Sequence, residues 1–449
     1  MPTAKKTAIS LFTSGGVGDL AIRDSGFDIL VSNELLEDRH AVFEFNFPEA
    51  TAITGDIWAR LDAIEAATTS KLQGAELTLL YATPPCQGMS KNGRGKLLNA
   101  IRAGLKPRLD ERNRLIIPTM ELARRLKPEI VLLENVPEMA DTLIVGVDGE
   151  PVQILDFVRS QLGSEYRGVA EVVEFADYGV PQCRQRLITI FTRNSTLLRC
   201  LDDCGSLLPP PTHSRDASYG TKPWATVRDV IAGLPPLDAG SANTAKSGIP
   251  FHRVPLLDSM KYWWVSNTPP ERGAFDNQCI ECGYDRNPTH VARHDSEGIN
   301  RASKDTPLYC LRCGAMLPRP STEVGGKRLL MRGFTSAYKR MQFDKPASAL
   351  TRNLSYACSD NKLHPNQHRV LSLYEAFRIH TLDQFDYRWK RSDRRRLSEK
   401  TIREIVGESV PPLGLKRIVE HVVQVYEGRE ERARFAALGP LFAGQCVGI

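Results

Sequence analysis

No run of apolar residues in this chain approaches the ~18 that a membrane-spanning helix needs. The segment from Met1 to Phe12 carries two lysines but lacks the apolar stretch and small-residue cleavage site of a secretion signal. A cytoplasmic protein with no membrane partner is therefore expected. Charge of one sign is not in large excess either. Against 53 Asp and Glu stand 59 Lys and Arg, a balance of +6 over 449 residues. That permits a nucleic-acid partner without demonstrating one. No internal repeat is present. Apolar residues make up 41% and charged residues 25%, which excludes a largely disordered chain, a coiled coil and a collagen-like chain. The ten cysteines, in a reducing compartment, point to catalysis or metal binding rather than disulfides.

At roughly 100–200 residues per domain, two or three domains are expected. The first ~200 residues alternate short apolar runs with amphipathic stretches. Candidate strands are Ala8–Phe12, Asp28–Ser32, Leu77–Ala82, Ile130–Glu134, Val169–Phe175 and Leu187–Thr192, with helix-like patterns at Asn113–Leu126 and Gln153–Leu162. This alternation predicts parallel βαβ units in a doubly wound sheet, with ligands beyond the carboxyl ends of the strands. The pattern stops near residue 205, where Pro209-Pro210-Pro211 opens a stretch with little periodicity as far as 345. Asn366–Leu382 and Pro411–Glu427 read as helices. The chain divides into 1–205, 206–365 and 366–449.

Four loops at strand ends carry candidate chemistry. Ser14-Gly15-Gly16-Val17-Gly18 follows the first strand and opens a helix; glycines there admit a ligand close to free backbone N–H groups, or simply make a tight turn. Glu34 ends the second strand, 18 residues after Gly16, where an acid can accept ribose hydroxyls. Asp56 can accept an adenine amino group from the third strand end. Singly, acids so placed are more often solvated loop charges; together with the glycine loop they favour an adenosine-type ligand. Thr83-Pro84-Pro85-Cys86-Gln87-Gly88 places a cysteine on a proline-stiffened polar loop, which suits a nucleophile better than a buried apolar thiol. Glu134, in Glu134-Asn135-Val136-Pro137, is a candidate general acid or a capping carboxylate. In Gln182-Cys183-Arg184-Gln185-Arg186, two arginines two apart share one strand face.

Taken together, these motifs resemble the cytosine-5 DNA methyltransferases. Leu11-Phe12 with its glycine loop, Pro84-Pro85-Cys86-Gln87, Glu134-Asn135-Val136 and Gln182-x-Arg184-x-Arg186 occur in family order. His364-Pro365…Arg369-Val370-Leu371-Ser372…Glu375 and Gly407-x-Ser409-Val410-Pro411-Pro412 resemble the last two family blocks. The resemblance covers residues 8–195 and roughly 345–430. It implies a Rossmann-like S-adenosylmethionine-dependent methyltransferase sheet with a smaller, irregular target recognition domain, which the cysteine spacing makes zinc-containing. It implies Cys86 attacking carbon 6 of a flipped-out cytosine, with Glu134 holding or protonating ring nitrogen 3. Arg184 would stabilise charge near the base's carbonyl oxygen, with Arg186 alongside. Cofactor contacts fall on Phe12, Ser14, Gly16, Val17, Glu34, Asp56, Ile57, Pro84, Ser409 and Val410. The implied partner is double-stranded DNA, bound by a monomer. A bacterial, nucleoid-associated restriction–modification setting, with a cognate restriction endonuclease on the same site, also follows by analogy. The same chemistry on RNA, or a catalytically silent DNA-binding protein, are the alternatives. The tract from Gln87 to Leu109 has six basic residues and no acid, as a loop closing on DNA phosphates would.

Three departures from the family pattern stand out. Ser14 occupies a glycine position, so its Cβ limits the turn to less strained geometry. Glu408 stands where the family usually has Asn, near the cofactor or facing solvent. Residues 388–396 carry six Arg or Lys against Asp393, reading either as a solvated face or as DNA-backbone contacts.

The family's variable, DNA-reading segment corresponds to about 206–345. There Cys279-Ile280-Glu281-Cys282-Gly283 and Cys310-Leu311-Arg312-Cys313-Gly314 form two CxxC-Gly knuckles 27 residues apart. This spacing predicts a structural zinc site of Cys279, Cys282, Cys310 and Cys313, closed to catalysis, with His290 and His294 outside it. Lys327, Arg328, Arg332, Lys339 and Arg340 are candidates for phosphate or guanine contacts. Cys183, Cys200, Cys204 and Cys358 have no assignment.

Overall fold

The computed structural model describes residues 5–85, 111–146, 149–290, 292–294, 300–302, 306–331 and 336–429. Cys86, the basic tract that follows it and Arg332 lie outside the described residues.

Seven strands form the central sheet. They are β1 (Lys6–Leu11), β2 (Phe27–Glu34), β3 (Thr51–Thr54), β4 (Leu79–Ala82), β5 (Ile130–Asn135), β6 (Arg167–Glu174) and β7 (Gln185–Thr192). Their order is β3-β2-β1-β4-β5-β7-β6. The first five are parallel. The expected parallel βαβ units account for β1–β5, and the pattern ends at β7, which runs antiparallel to both β5 and β6. Only residues 175–184 join β6 to β7, too few for the crossover that a parallel pair requires.

Helices cover both faces. Alternation along β1 sends Ala8 to one layer and Ile9 and Leu11 to the other. The first layer packs α1 (Asp19–Asp24) and the last helix against Leu79, Leu132 and Ile190 through Leu20, Leu415 and Ile418. The second packs α3 (Ile57–Leu72), α4 (Ile116–Leu126) and α5 (Ile154–Leu162) through Ile64, Met120 and Val158. Helix α2 (Glu37–Asn46) follows β2, and α6 (Ser195–Cys204) follows β7.

Residues 206–345 contain short elements, including α7 (Val227–Ile231), α8 (Ser259–Ser266) and a hairpin pairing Ser321–Val324 with Lys327–Leu330. Backbone carbonyls outside regular ladders need other donors, and buried arginines supply them. Arg319, fully buried, donates to the carbonyls of Asn277, Pro288 and Pro307, each at 2.8 Å. Arg340 donates to those of Thr268, Val265 and His364. The sequence expectation that Arg340 contacts DNA is therefore corrected: it is 2% exposed and holds loops together.

The C-terminal part adds α9 (Leu373–Ile379), α10 (Glu399–Glu408) and α11 (Pro412–Tyr426). The helix expected from Asn366 begins only at Leu373. Ser372 caps it and exchanges hydrogen bonds with Glu375. Before that point, the His364 ring accepts from the N–H groups of Asn366 and Gln367 and holds a turn. Among the described residues, no helix is long and apolar enough to cross a membrane.

Candidate active site

The carboxyl ends of β1, β2, β3, β4 and β5 converge, as parallel pairing requires. The loop after β1 is locked to its neighbours: Phe12 N–H donates to Asn33 O at 2.8 Å, and Ser14 N–H to Glu34 Oε2 at 2.8 Å. Phe12 and Ser14 take left-handed backbone conformations at φ 61° and 49°. Ser14 thus keeps its Cβ in the one positive-φ region open to L-residues. Gly16, at φ 81°, has no such freedom to be replaced, since a Cβ there would lie 2.6 Å from the Phe47 ring. Val17 is buried beneath the loop.

Glu34 is 8% exposed, and burial raises its pKa. Its second oxygen accepts from Leu36 N–H at 2.9 Å. Asp56 is exposed and caps α3, accepting from Trp58 N–H at 3.1 Å; Ile57 behind it is buried. The side-chain hydroxyls of Thr13 and Ser14 are buried without a hydrogen-bond partner. Such groups are normally satisfied, and here they flank Glu34 on a glycine loop. This donor and acceptor set fits the polar groups of an adenosyl–amino-acid ligand.

The loop after β4 is pinned from both sides. Thr83 Oγ1 donates to Phe12 O at 3.0 Å, and Asn135 Nδ2 donates to Pro84 O at 3.0 Å. Glu134, beside Asn135 on β5, is 6% exposed. Arg186 Nε lies 2.8 Å from Glu134 Oε1. Burial raises the Glu134 pKa, while the Arg186 and Arg184 charges oppose the rise.

Arg184 departs from the expected role. Regular pairing breaks at this residue, whose N–H donates to Glu174 Oε1 at 2.6 Å. Its terminal nitrogens donate to the carbonyls of Leu350 at 2.9 Å, Gly407 at 3.1 Å and Ser409 at 2.8 Å. Arg186 alone of the two reaches Glu134; Arg184 ties the strand to the C-terminal segment. Gln182 joins the same unit: its Oε1 accepts from Leu350 N–H, and its side-chain amide bonds the His380 ring. His380 in turn bonds Ser409 Oγ at 2.9 Å. Residues 182–186 and 407–410 are therefore one hydrogen-bonded unit, with Val410 buried within it.

Some residues in this region escaped the sequence reading. Tyr81, on β4, and Asp19, on α1, are fully buried, and neither Tyr81 Oη nor Asp19 Oδ1 has a partner. Burial raises the Asp19 pKa to about 7. Arg39 and Tyr387 also reach this end of the sheet, Tyr387 Oη donating to Gly15 O at 2.6 Å. A buried tyrosine or aspartate in an apolar run carries no motif, so no sequence signal marked either.

The 388–396 tract lies mainly across α2. Arg391 pairs with Asp38 and Asp393, Arg395 with Glu37, and Ser392 N–H donates to Ala41 O at 2.8 Å. Glu408 faces Arg39 at 2.6 Å.

In the variable segment, the Sγ atoms of Cys279, Cys282, Cys310 and Cys313 lie within 4.8 Å of one another. Three Sγ pairs are 3.6, 3.6 and 3.8 Å apart. A tetrahedron with ~2.3 Å zinc–sulfur bonds has edges of about 3.8 Å. The geometry thus fits one zinc ion. His290 instead stacks on Phe275, with ring centroids 4.4 Å apart. Gly283 and Gly314, at φ 70° and 75°, turn the chain behind each knuckle.

Residues 6–246 match the family model described as C-5 cytosine-specific DNA methylase. The Type II methyltransferase M1.HgaI of Avibacterium volantium is 26% identical over 423 residues, covering 92% of this chain and 97% of that protein. The Type II methyltransferase M.AquIA of a Picosynechococcus species is 30% identical over 254 residues, covering 53% of this chain and 92% of that protein. Among solved structures, an E. coli prophage protein assigned as a DNA modification methyltransferase shares the fold. Its TM-score is 0.50 at 18% identity, over 94% of this chain and 99% of that one.

Proposed function

The chain belongs to the C-5 cytosine-specific DNA methylase family, and from that premise we propose that it methylates carbon 5 of a cytosine flipped out of a specific duplex sequence, through a covalent bond from Cys86. The observation that carries this reading is the Glu134–Arg186 pair at the end of β5, beside the pinned Pro84-Pro85 loop that precedes Cys86 in the sequence.

The Cys86 thiolate adds to carbon 6, ending the aromaticity of the ring and leaving an enamine that is nucleophilic at carbon 5. Glu134, with its raised pKa, hydrogen-bonds or protonates ring nitrogen 3 as charge develops there. Arg186 holds Glu134 in place and faces the base's carbonyl oxygen, the role first read for Arg184. Arg184 positions the strand that carries Arg186. The Phe12–Val17 loop, Glu34, Asp56, Ile57, Pro84 and the Ser409–Val410 turn would hold S-adenosylmethionine, which when bound would supply carbon 5 with an electrophilic methyl group and leave as S-adenosylhomocysteine. A base then removes the carbon 5 proton, and the thiolate leaves by elimination. Taking the cytosine out of the stack costs about a few kcal/mol, and attraction between phosphates and the six basic residues of the Gln87–Leu109 tract would offset it.

Residues 206–365 act as the target recognition domain. The four cysteines hold a structural zinc ion that orders a segment with little apolar core of its own. The Type II methyltransferases among its relatives support a protective role beside a restriction endonuclease on the same site. In this role the chain acts as a cytoplasmic monomer on nucleoid DNA, since flipping one base needs one copy.

Duplex DNA carrying 5-fluorocytosine tests the mechanism. Fluorine cannot leave as the proton does, so the active protein is trapped covalently on such DNA. Trapping by a Cys86→Ala variant would show that another residue is the nucleophile.

A further inference from the structure

Arg39 lies on α2, five residues beyond Glu34. Its Nη1 donates to Glu408 Oε2 at 2.6 Å and its Nη2 to Glu404 Oε2 at 3.3 Å. The side chain is 12% exposed, and its Nε is buried without a partner. Glu404 and Glu408 are four residues apart on α10, so both meet one guanidinium from one edge of the helix. Its other edge buries Ile402, Ile405 and Val406. Ile405 covers the glycine loop: a Cβ on Gly15 would lie 2.9 Å from Ile405 Cδ1. Immediately past Glu408 come Ser409 and Val410.

Helix α2 is in turn fixed to the strand ends that frame the loop. His40 bonds Ser32 Oγ at 2.9 Å and Thr54 Oγ1 at 2.7 Å. The Glu34 carboxylate is close enough to feel the Arg39 charge. Removing that charge would leave Glu404 and Glu408 facing each other and Glu34 without a cation between them. Like charges at this spacing repel.

We propose that Arg39 is a positioning residue for cofactor binding: it clasps α10 onto α2 and so holds the Ser409–Val410 turn closed against the glycine loop. The clasp also gives Glu408 a purpose, because a carboxylate there has a dedicated partner. This inference rests on the reading that the glycine loop and Glu34 hold S-adenosylmethionine.

The test is calorimetric binding of S-adenosylhomocysteine to wild-type protein, to Arg39→Gln, to Glu404→Gln/Glu408→Gln, and to the charge-conserving Arg39→Lys. Arg39→Gln is expected to weaken binding by about tenfold, as loss of a charge-assisted hydrogen bond does. It is expected to raise the KM for the methyl donor and leave kcat at saturation level. Without any ligand, the amide hydrogens of residues 399–408 should exchange faster in Arg39→Gln. The double carboxamide variant should show the same loosening, and Arg39→Lys, which keeps the cation, should recover part of the affinity. Wild-type binding matched by Arg39→Gln, with unchanged exchange over α10, would overturn the clasp. A loss in Arg39→Gln that Arg39→Lys does not recover at all would likewise reduce Arg39 to a general stabilising residue. Wild-type protein that binds no S-adenosylhomocysteine would instead overturn the cofactor reading beneath it.

Discussion

Arg186 Nε meets Glu134 Oε1 at 2.8 Å, with the two side chains 16% and 7% exposed. The pair joins adjacent strands β5 and β7, so the acid and its cation are fixed by sheet register rather than by loops. Glu134→Gln is expected to lower kcat by about 10²–10⁴, the range for loss of a general acid, with little change in stability. Arg186→Met should lower kcat by about 10², as loss of one charge-stabilising donor does. Single-turnover rates on saturating duplex DNA measure both. A Glu134→Gln protein with the wild-type rate would remove Glu134 from the chemistry.

Arg184 predicts the opposite signature. Its terminal nitrogens satisfy three backbone carbonyls of the C-terminal segment. Arg184→Met should destabilise the fold by about 3 kcal/mol, because those buried acceptors lose a charged donor. Urea unfolding measures the loss. Unchanged stability with abolished activity would return Arg184 to the catalytic set.

Asp19 sets a pH dependence. Its pKa rises from 3.8 to about 7 through burial. Between those values the folded protein keeps a proton that the unfolded chain has released. Stability from this group is therefore full below 3.8 and is lost as pH climbs towards 7. Asp19→Asn lacks that loss, so its stability relative to wild type should increase from about pH 5 to about pH 8. Denaturation midpoints of both proteins at the two pH values provide the comparison. Parallel pH profiles would contradict it.

The cysteine cluster predicts bound metal. Protein purified under reducing, chelator-free conditions should contain one zinc ion per chain by elemental analysis. Cys310→Ser should lose it and increase proteolysis within residues 258–331. Metal-free wild-type protein would sink the zinc assignment.

Much of this was legible in the sequence because strand ends announce themselves. Glu34 and Glu134 close apolar runs, and Ser14–Gly18 and Pro84-Pro85 interrupt the pattern at the same edge of the sheet. The CxxC-Gly knuckles were equally plain, since thiolate geometry constrains spacing. What escaped depends on distant contacts. Nothing in Gln182-x-Arg184-x-Arg186 says that carbonyls from residues 350, 407 and 409 converge on the first arginine. The basic run at 388–396 stayed open between a solvated face and a DNA contact because two of its acidic partners, Glu37 and Asp38, lie some 350 residues earlier in the chain. The reversed β7 followed from a connection length that apolar patterning does not weigh.

The most direct test of the account is bisulfite sequencing of unmethylated plasmid DNA incubated with S-adenosylmethionine and either the wild-type protein or Cys86→Ala. The account predicts protected cytosines within one recurring short sequence, and none with Cys86→Ala. Protection that persists without Cys86, or no protection by the wild-type protein, would contradict it.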